Sequence, residues 1–99
     1  MIENRKNRNN IEIIANILEI SKNGIKKTRI MYLAYLSFDL LKKYLNFLID
    51  KNLLEYNSIE KKYKTTNKGM EFLKEYYELK EIENKHKEKL RMIQKVIGS

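Results

Sequence analysis

The chain has 99 residues, with 21 Lys or Arg against 13 Asp or Glu, which gives a formal net charge of +8. At this length about two-thirds of the unfolded surface can be buried, so the sequence allows one small domain and excludes a multidomain enzyme. There is no Cys and only one His, His86, which excludes disulfides, thiolate metal sites and a histidine cluster. We therefore expect no metal and no cofactor.

No apolar run reaches the roughly 18 to 20 residues of a membrane span, and the first residues lack a signal peptide's apolar stretch. We expect a soluble protein of the cytoplasm with no membrane partner.

The net charge favours a polyanionic partner, because clustered Lys and Arg release counterions from phosphates. A genome rich in A+T would also produce many Lys, Asn, Ile and Tyr codons without any selection for binding. The charge is unevenly distributed, however: residues 1–66 carry 13 basic and 7 acidic side chains, and residues 67–99 carry 8 and 6. Codon bias should raise the Lys content of both parts alike, so the uneven charge favours a nucleic acid that is bound by residues 1–66.

Residues 1–9 contain three basic side chains, Arg5, Lys6 and Arg8, among asparagines. They hold too little apolar surface to order themselves, and we expect a flexible basic arm. Such an arm could follow phosphates or a minor groove, or it could be a solvated tail.

Three helices are predicted next. The first begins at Asn10, its candidate N-cap, and ends at Asn23-Gly24; its apolar face is Ile11, Ile14, Ile17 and Leu18. The second helix covers residues 28–33, and its side chains that face the core are Ile30 and either Leu33 or Ala34. The third runs over residues 37–51 after the N-cap Ser37, and Asn52 suits a left-handed stop. Its buried stripe is Leu41, Leu45 and Leu48.

The pattern then changes to alternation over residues 54–57 and 63–65, which predicts a β-hairpin. We expect Leu54, Tyr56 and Tyr63 to point inward. Thr66 can cap a last helix that begins at Asn67 and continues for about 30 residues, roughly 45 Å. The predicted organisation is an arm (1–9), a head (10–66) and a long C-terminal helix (67–97).

Three helices followed by a hairpin is the order of a winged helix-turn-helix, a mainly α fold in which the third helix, here residues 37–51, enters the major groove. The wing, residues 58–64, would then lie on the DNA backbone, and the N-terminal end of the second helix would bind a DNA phosphate. Polar and basic side chains on these elements are the candidate DNA contacts: Lys27, Thr28, Arg29, Ser37, Lys42, Lys43, Asn46, Lys61, Lys62 and Lys64. An exposed Lys42-Lys43 pair is, by itself, equally typical of a solvated helix face. Asp39 would repel phosphate; we expect it to interact with the helix dipole.

Several motifs resemble the small winged-helix DNA-binding proteins of archaea, most closely the ten-kilodalton Sulfolobus class. The resemblance covers roughly residues 10 to 97 and is carried by Lys27-Thr28-Arg29-Ile30-Met31-Tyr32, Leu36-Ser37, Tyr44, Leu48, Asp50 and Tyr63-Lys64-Thr65-Thr66-Asn67-Lys68-Gly69. It implies a homodimer held by an antiparallel coiled coil of the C-terminal helices, with two heads that bind double-stranded DNA.

A heptad seam runs along the predicted C-terminal helix, through Phe72, Tyr76, Leu79, Glu83, His86, Leu90, Ile93 and Ile97. In an antiparallel pair centred between the two polar positions, Glu83 of one copy would face His86 of the other. The pair could fix register and make dimerisation sensitive to pH. Alternatively, both side chains reach out to water.

The sequence shows no phosphate-binding glycine loop and no nucleophile motif, and its lone acid–imidazole pair, Glu83 and His86, lies on a predicted rod rather than in a concave pocket, so an enzyme is the weakest interpretation. The stronger one is a transcription regulator or a chromatin-associated protein bound to DNA. The alternative is a winged-helix scaffold that binds only protein, for which Phe38, Leu40 and Phe47 could form an apolar patch.

Overall fold

The structure is a computed structural model that describes residues 9–98. Within them the elements are α1 (Asn10–Ile20), α2 (Lys27–Ala34), α3 (Phe38–Asp50), β1 (Leu54–Asn57), β2 (Lys62–Thr65) and α4 (Asn67–Ile97). This order confirms the predicted mainly α fold with a small hairpin and a long C-terminal helix. The predicted basic arm lies outside the described residues, apart from Asn9. No helix in the described part of the chain is long and apolar enough to cross a membrane.

The start of α1 differs from the prediction. Asn9, not Asn10, is the N-cap: its Oδ1 accepts from the Glu12 amide at 2.9 Å, and the Glu12 carboxylate accepts from the Asn9 amide at 3.2 Å. Ile11, in the first turn at the end of the packed stripe, keeps 41% of its surface exposed. Ile13 is buried instead, because α1 contacts both α2 and α4 and so buries a wider stripe than one face.

The turn between α2 and α3 is formed as the local sequence requires. α2 begins one residue earlier than predicted, at Lys27, and of the two inward candidates Ala34 is buried while Leu33 is exposed. Tyr35 ends α2 in the left-handed region. The hydroxyl of Ser37 accepts from the Leu40 amide at 3.2 Å, which confirms the predicted N-cap of α3. All three leucines predicted for the inner stripe of α3 lie in the core, as does Tyr44.

The hairpin pairs Leu54 with Thr65 and Asn57 with Lys62 in antiparallel register. Ile25, just before α2, adds a bridge to Tyr63 through two backbone hydrogen bonds of 2.9 and 2.7 Å. Leu54 is buried as predicted and Tyr63 is half-buried, but the inward prediction for Tyr56 is wrong, since 45% of its surface is exposed. Leu54 and Tyr56 share one face of β1, yet the hairpin extends beyond the core, so only Leu54 is covered.

α4 has two distinct parts. Its N-cap is Thr66, as predicted, and its first turns pack on the head through buried Gly69 and Leu73. Phe72 and Tyr76, predicted for the dimer seam, also lie against the core of their own chain, because α1 packs along this part of α4. From residue 81 to residue 98 every side chain is exposed. The described chain is correspondingly elongated, 61 × 26 × 22 Å.

Candidate nucleic-acid interface

The start of α2 and the turn of the hairpin meet around one concave surface. The backbone bridge between Ile25 and Tyr63 holds the hairpin beside the residues that open α2. A cavity of about 250 Å³ results, and its lining includes three ammonium-bearing side chains, Lys26, Lys27 and Lys61, together with Thr28, Tyr56 and Tyr63. We call this surface the basic cleft. Three cations around one concavity attract a phosphate more strongly than isolated lysines do.

The helix end adds to this positive field. Lys26 occupies the N-cap position of α2, and no described side chain caps that terminus. The first turn of α2 also contains no acidic residue. The partial positive charge of the helix N-terminus therefore faces the basic cleft without a competing carboxylate on the same element.

Two tyrosines form the aromatic wall of the basic cleft. The rings of Tyr56 and Tyr63 lie 4.7 Å apart between centroids. Burial, with a smaller contribution from the neighbouring Tyr56, raises the pKa of Tyr63. The Tyr63 phenol therefore stays protonated and can donate a hydrogen bond.

α3 adjoins the basic cleft at its own first turn. The Nζ of Lys27 lies 4.6 Å from the ring centroid of Phe38, the first residue of α3. This cation–π contact connects the start of α2 to the start of α3. The first turn of α3 therefore lies beside the basic cleft.

The outer face of α3 is polar but carries no net charge. Opposite the buried leucines lie exposed side chains that include two lysines and two aspartates: Asp39, Lys42, Lys43, Asn46 and Asp50. Such a face offers hydrogen-bond donors and acceptors to base edges rather than a general attraction to phosphate. The positive charge of the surface comes mainly from the start of α2 and the hairpin.

The remaining predicted contacts are dispersed. Lys62 and Lys64 lie on the face of β2 away from Tyr63 and line a separate groove that also contains Glu55 and Glu60. Arg29 is exposed on α2 but does not line the basic cleft, and the Ser37 hydroxyl caps α3.

The sequence prediction missed three residues of the basic cleft, Lys26, Tyr56 and Tyr63. Lys26 directly precedes the predicted Lys27 and lies at the N-cap of α2, one position before the basic cluster that the sequence indicates. The alternating pattern predicts both Tyr56 and Tyr63 for the core, and nothing in the local sequence shows where the core ends.

Comparisons with known proteins agree with this geometry. A family model described as winged helix-turn-helix matches residues 7–84. An uncharacterized protein of Methanocaldococcus jannaschii is 39% identical over 90 residues, which cover 84% of this chain and 91% of that protein. The fold is also similar to the solved structure of Sso10a-2, a DNA-binding protein from Sulfolobus solfataricus, with a TM-score of 0.69 and 25% sequence identity. The matched region covers 87% of this chain and 96% of the Sso10a-2 chain.

Proposed function

We propose that this chain, which belongs to the winged helix-turn-helix family, is a dimeric double-stranded DNA-binding protein that acts as a transcription regulator or a chromatin-associated protein on cytoplasmic DNA. The predicted resemblance to small archaeal proteins of this family is confirmed by the family match and the Sulfolobus neighbour. That neighbour is itself described as a DNA-binding protein.

The observation that carries the proposal is the position of the basic cleft beside the first turn of α3, the helix whose outer face is neutral. In the proposed complex Lys26, Lys27 and Lys61 hold phosphates on one flank, and the outer face of α3 lies in the major groove. Lys43 and Asn46 then face base edges. Lys62 and Lys64 contact the DNA backbone on the other side of the hairpin.

Dimerisation is supported by the exposed half of α4. Leu79, Leu90, Ile93 and Ile97 of the predicted seam are all exposed, and Ile97 leaves 77% of its surface uncovered. A row of apolar side chains at heptad spacing on an exposed helix favours a partner helix. In the proposed dimer that partner is the α4 of a second copy.

The charge along α4 supports an antiparallel arrangement. Residues 67–83 carry three basic and five acidic side chains, whereas residues 84–98 carry five basic and one acidic. Antiparallel copies place the acidic half of each helix beside the basic half of the other, while parallel copies would place like charges together. Opposite charges on adjacent helices select this orientation.

A duplex binding assay at about 50 mM and about 200 mM salt tests the DNA proposal. We expect binding that weakens steeply with salt, since phosphate contacts release counterions. The double variant Lys27→Gln/Lys61→Gln should bind more weakly, and the slope of log K against log salt should flatten by about 0.9 for each phosphate that the variant no longer neutralises. The matched control is Lys74→Gln/Lys95→Gln, which removes the same charge from outer positions of α4. Equal effects of the two double variants, or no duplex binding at low salt, would contradict the proposal.

A footprint on genomic and on random fragments separates the two roles within the proposal. A regulator protects a unique site, whereas a chromatin-associated protein protects random fragments as well. A scaffold that binds only protein would protect neither kind of fragment. Of the predicted apolar patch, Phe38 and Phe47 are exposed but nine residues apart, about half a turn out of phase, so they lie on opposite sides of α3. Leu40 is partly buried and packs against the core, so the three side chains form no single exposed patch.

A further inference from the structure

The turn of the hairpin presents an isoleucine to solvent. Ile59 leaves 91% of its surface exposed, more than any other large hydrophobic side chain among residues 9–98. It lies in the turn between Asn57, the last residue of β1, and Lys62, the first of β2. The side chain therefore projects from the end of the hairpin that is farthest from the core.

The turn is held in a defined conformation. The Asn57 Oδ1 accepts from the amides of Ile59 and Glu60, both at 2.9 Å. Lys61 then adopts a left-handed conformation that returns the chain to β2. The hairpin below is fixed by the Tyr56–Tyr63 ring contact and by the backbone bridge to Ile25. Binding through Ile59 would therefore cost little conformational freedom, which favours binding.

The chemistry of the turn does not suit a phosphate. Its outermost side chain is apolar, and the next residue, Glu60, carries a carboxylate that phosphates repel. The cations lie behind the tip: Lys61 lines the basic cleft, and Lys62 lines the groove on the other side of the hairpin. A turn with lysines on both flanks and an isoleucine at its tip fits a surface whose phosphates lie to either side of an apolar base stack.

We propose, on the basis of the DNA-binding function proposed above, that Ile59 enters the minor groove as a wedge, unstacks a base step and bends the duplex. With α3 in the major groove, the hairpin reaches across the backbone to the neighbouring minor groove, which is about 6 Å wide. Apolar side chains inserted there partly unstack the bases and kink the duplex by roughly 20–90°. Pyrimidine–purine steps deform most easily, so Ile59 confers a preference for a TA or CA step at that position.

Fluorescence measurements on a short duplex test this inference. The duplex carries a donor and an acceptor at its ends and 2-aminopurine beside a central TA step. We expect the wild-type protein to raise energy transfer between the ends and to increase 2-aminopurine fluorescence as the step unstacks. Ile59→Ser should still bind the duplex at low salt but show neither signal. Because Ile59 is almost fully exposed, the variant should keep its fold, which circular dichroism can check.

Two further variants control for hydrophobicity. Ile59→Met keeps an apolar tip and should retain both signals. Ser58→Ile combined with Ile59→Ser moves the isoleucine by one residue at constant composition and should not restore them. A wild-type complex without a bend, or an equal bend with Ile59→Ser, would overturn the wedge while leaving DNA binding intact. Failure of the wild-type protein to bind duplex at low salt would overturn the proposed function as well.

Discussion

Gly69 lies where the first turn of α4 comes closest to the loop before the hairpin. A Cβ at this position would overlap with the carbonyl oxygen of Leu53 and with Cγ2 of Thr65. The Gly69 amide also donates to the Thr66 hydroxyl at 3.0 Å, so the turn cannot easily move away. Glycine is required here because two segments of backbone approach each other closely.

Gly69→Ala should reduce the free energy of unfolding by about 1–3 kcal/mol, the usual effect of overpacking a tight contact. We expect this net loss even though alanine in place of glycine normally stabilises a helix by about 1 kcal/mol. Urea denaturation followed by circular dichroism measures it. Glu71→Ala, an exposed substitution in the next turn, should change stability by less than about 0.5 kcal/mol. A more stable Gly69→Ala variant would show that the packing around Leu53 is loose.

Single residues were predictable where their role is local. The caps Ser37 and Thr66 and the left-handed Asn52 follow from side-chain chemistry within three residues of the chain, and the structure confirms all three. The role of Gly69 depends on Leu53, 16 positions away, and the sequence pattern showed only a weak helix former. The exposure of Tyr56 has the same origin, since it depends on how far the core extends.

At the scale of elements, polar contacts hold α4 against α1. The Tyr77 hydroxyl donates to the Glu19 carboxylate, which also pairs with Lys22 at 3.1 Å. Farther along, Lys80 lies 3.6 Å from the Glu12 carboxylate. The hydrogen bond from Tyr77 lowers the pKa of Glu19, and the carboxylate raises the pKa of Tyr77 to about 12. These contacts keep the two helices aligned along the edge of the core.

The Tyr77–Glu19 contact should stabilise the fold within a defined pH range. Because the pKa of Glu19 is lowered from 4.5, its stabilisation is present above pH 4.5 and is lost as the pH falls through the lowered value. Because the pKa of Tyr77 is raised from 10.0, its stabilisation is present below pH 10 and is lost as the pH rises toward about 12. Tyr77→Phe should therefore be less stable than wild type in denaturant titrations between these limits and approach it outside them. A difference that does not vary with pH would contradict this account.

Elements were predictable where one period dominates. The four helices and the hairpin follow from changes between helical and alternating patterns, and the structure confirms their order. The heptad of α4 was harder to interpret, because the sequence cannot show which apolar positions face the same chain. Phe72 and Tyr76 fit the seam by spacing, yet they pack on the head. The basic cleft required tertiary structure, since the Ile25–Tyr63 bridge that forms it joins residues 38 positions apart.

At the scale of the whole molecule, the proposed dimer separates two tasks. The heads carry the basic clefts, and every side chain from residue 81 to residue 98 is exposed. Leu90→Asp places a charge in the proposed seam and should give a monomer with an intact head. Asn84→Asp adds the same charge off the seam and should stay dimeric. A dimeric Leu90→Asp variant would place the dimer contact elsewhere.

Sedimentation velocity, with the protein alone and mixed with a labelled duplex, measures dimerisation and DNA binding in one experiment. We expect one species of twice the chain mass of 12.0 kDa, which sediments with the duplex at about 50 mM salt and releases it as salt is raised. Leu90→Asp should sediment as a single chain and show a smaller salt slope, because each particle then has one head. A duplex that sediments at its free rate with wild-type protein at low salt, or a wild-type protein that sediments as a single chain, would contradict the account.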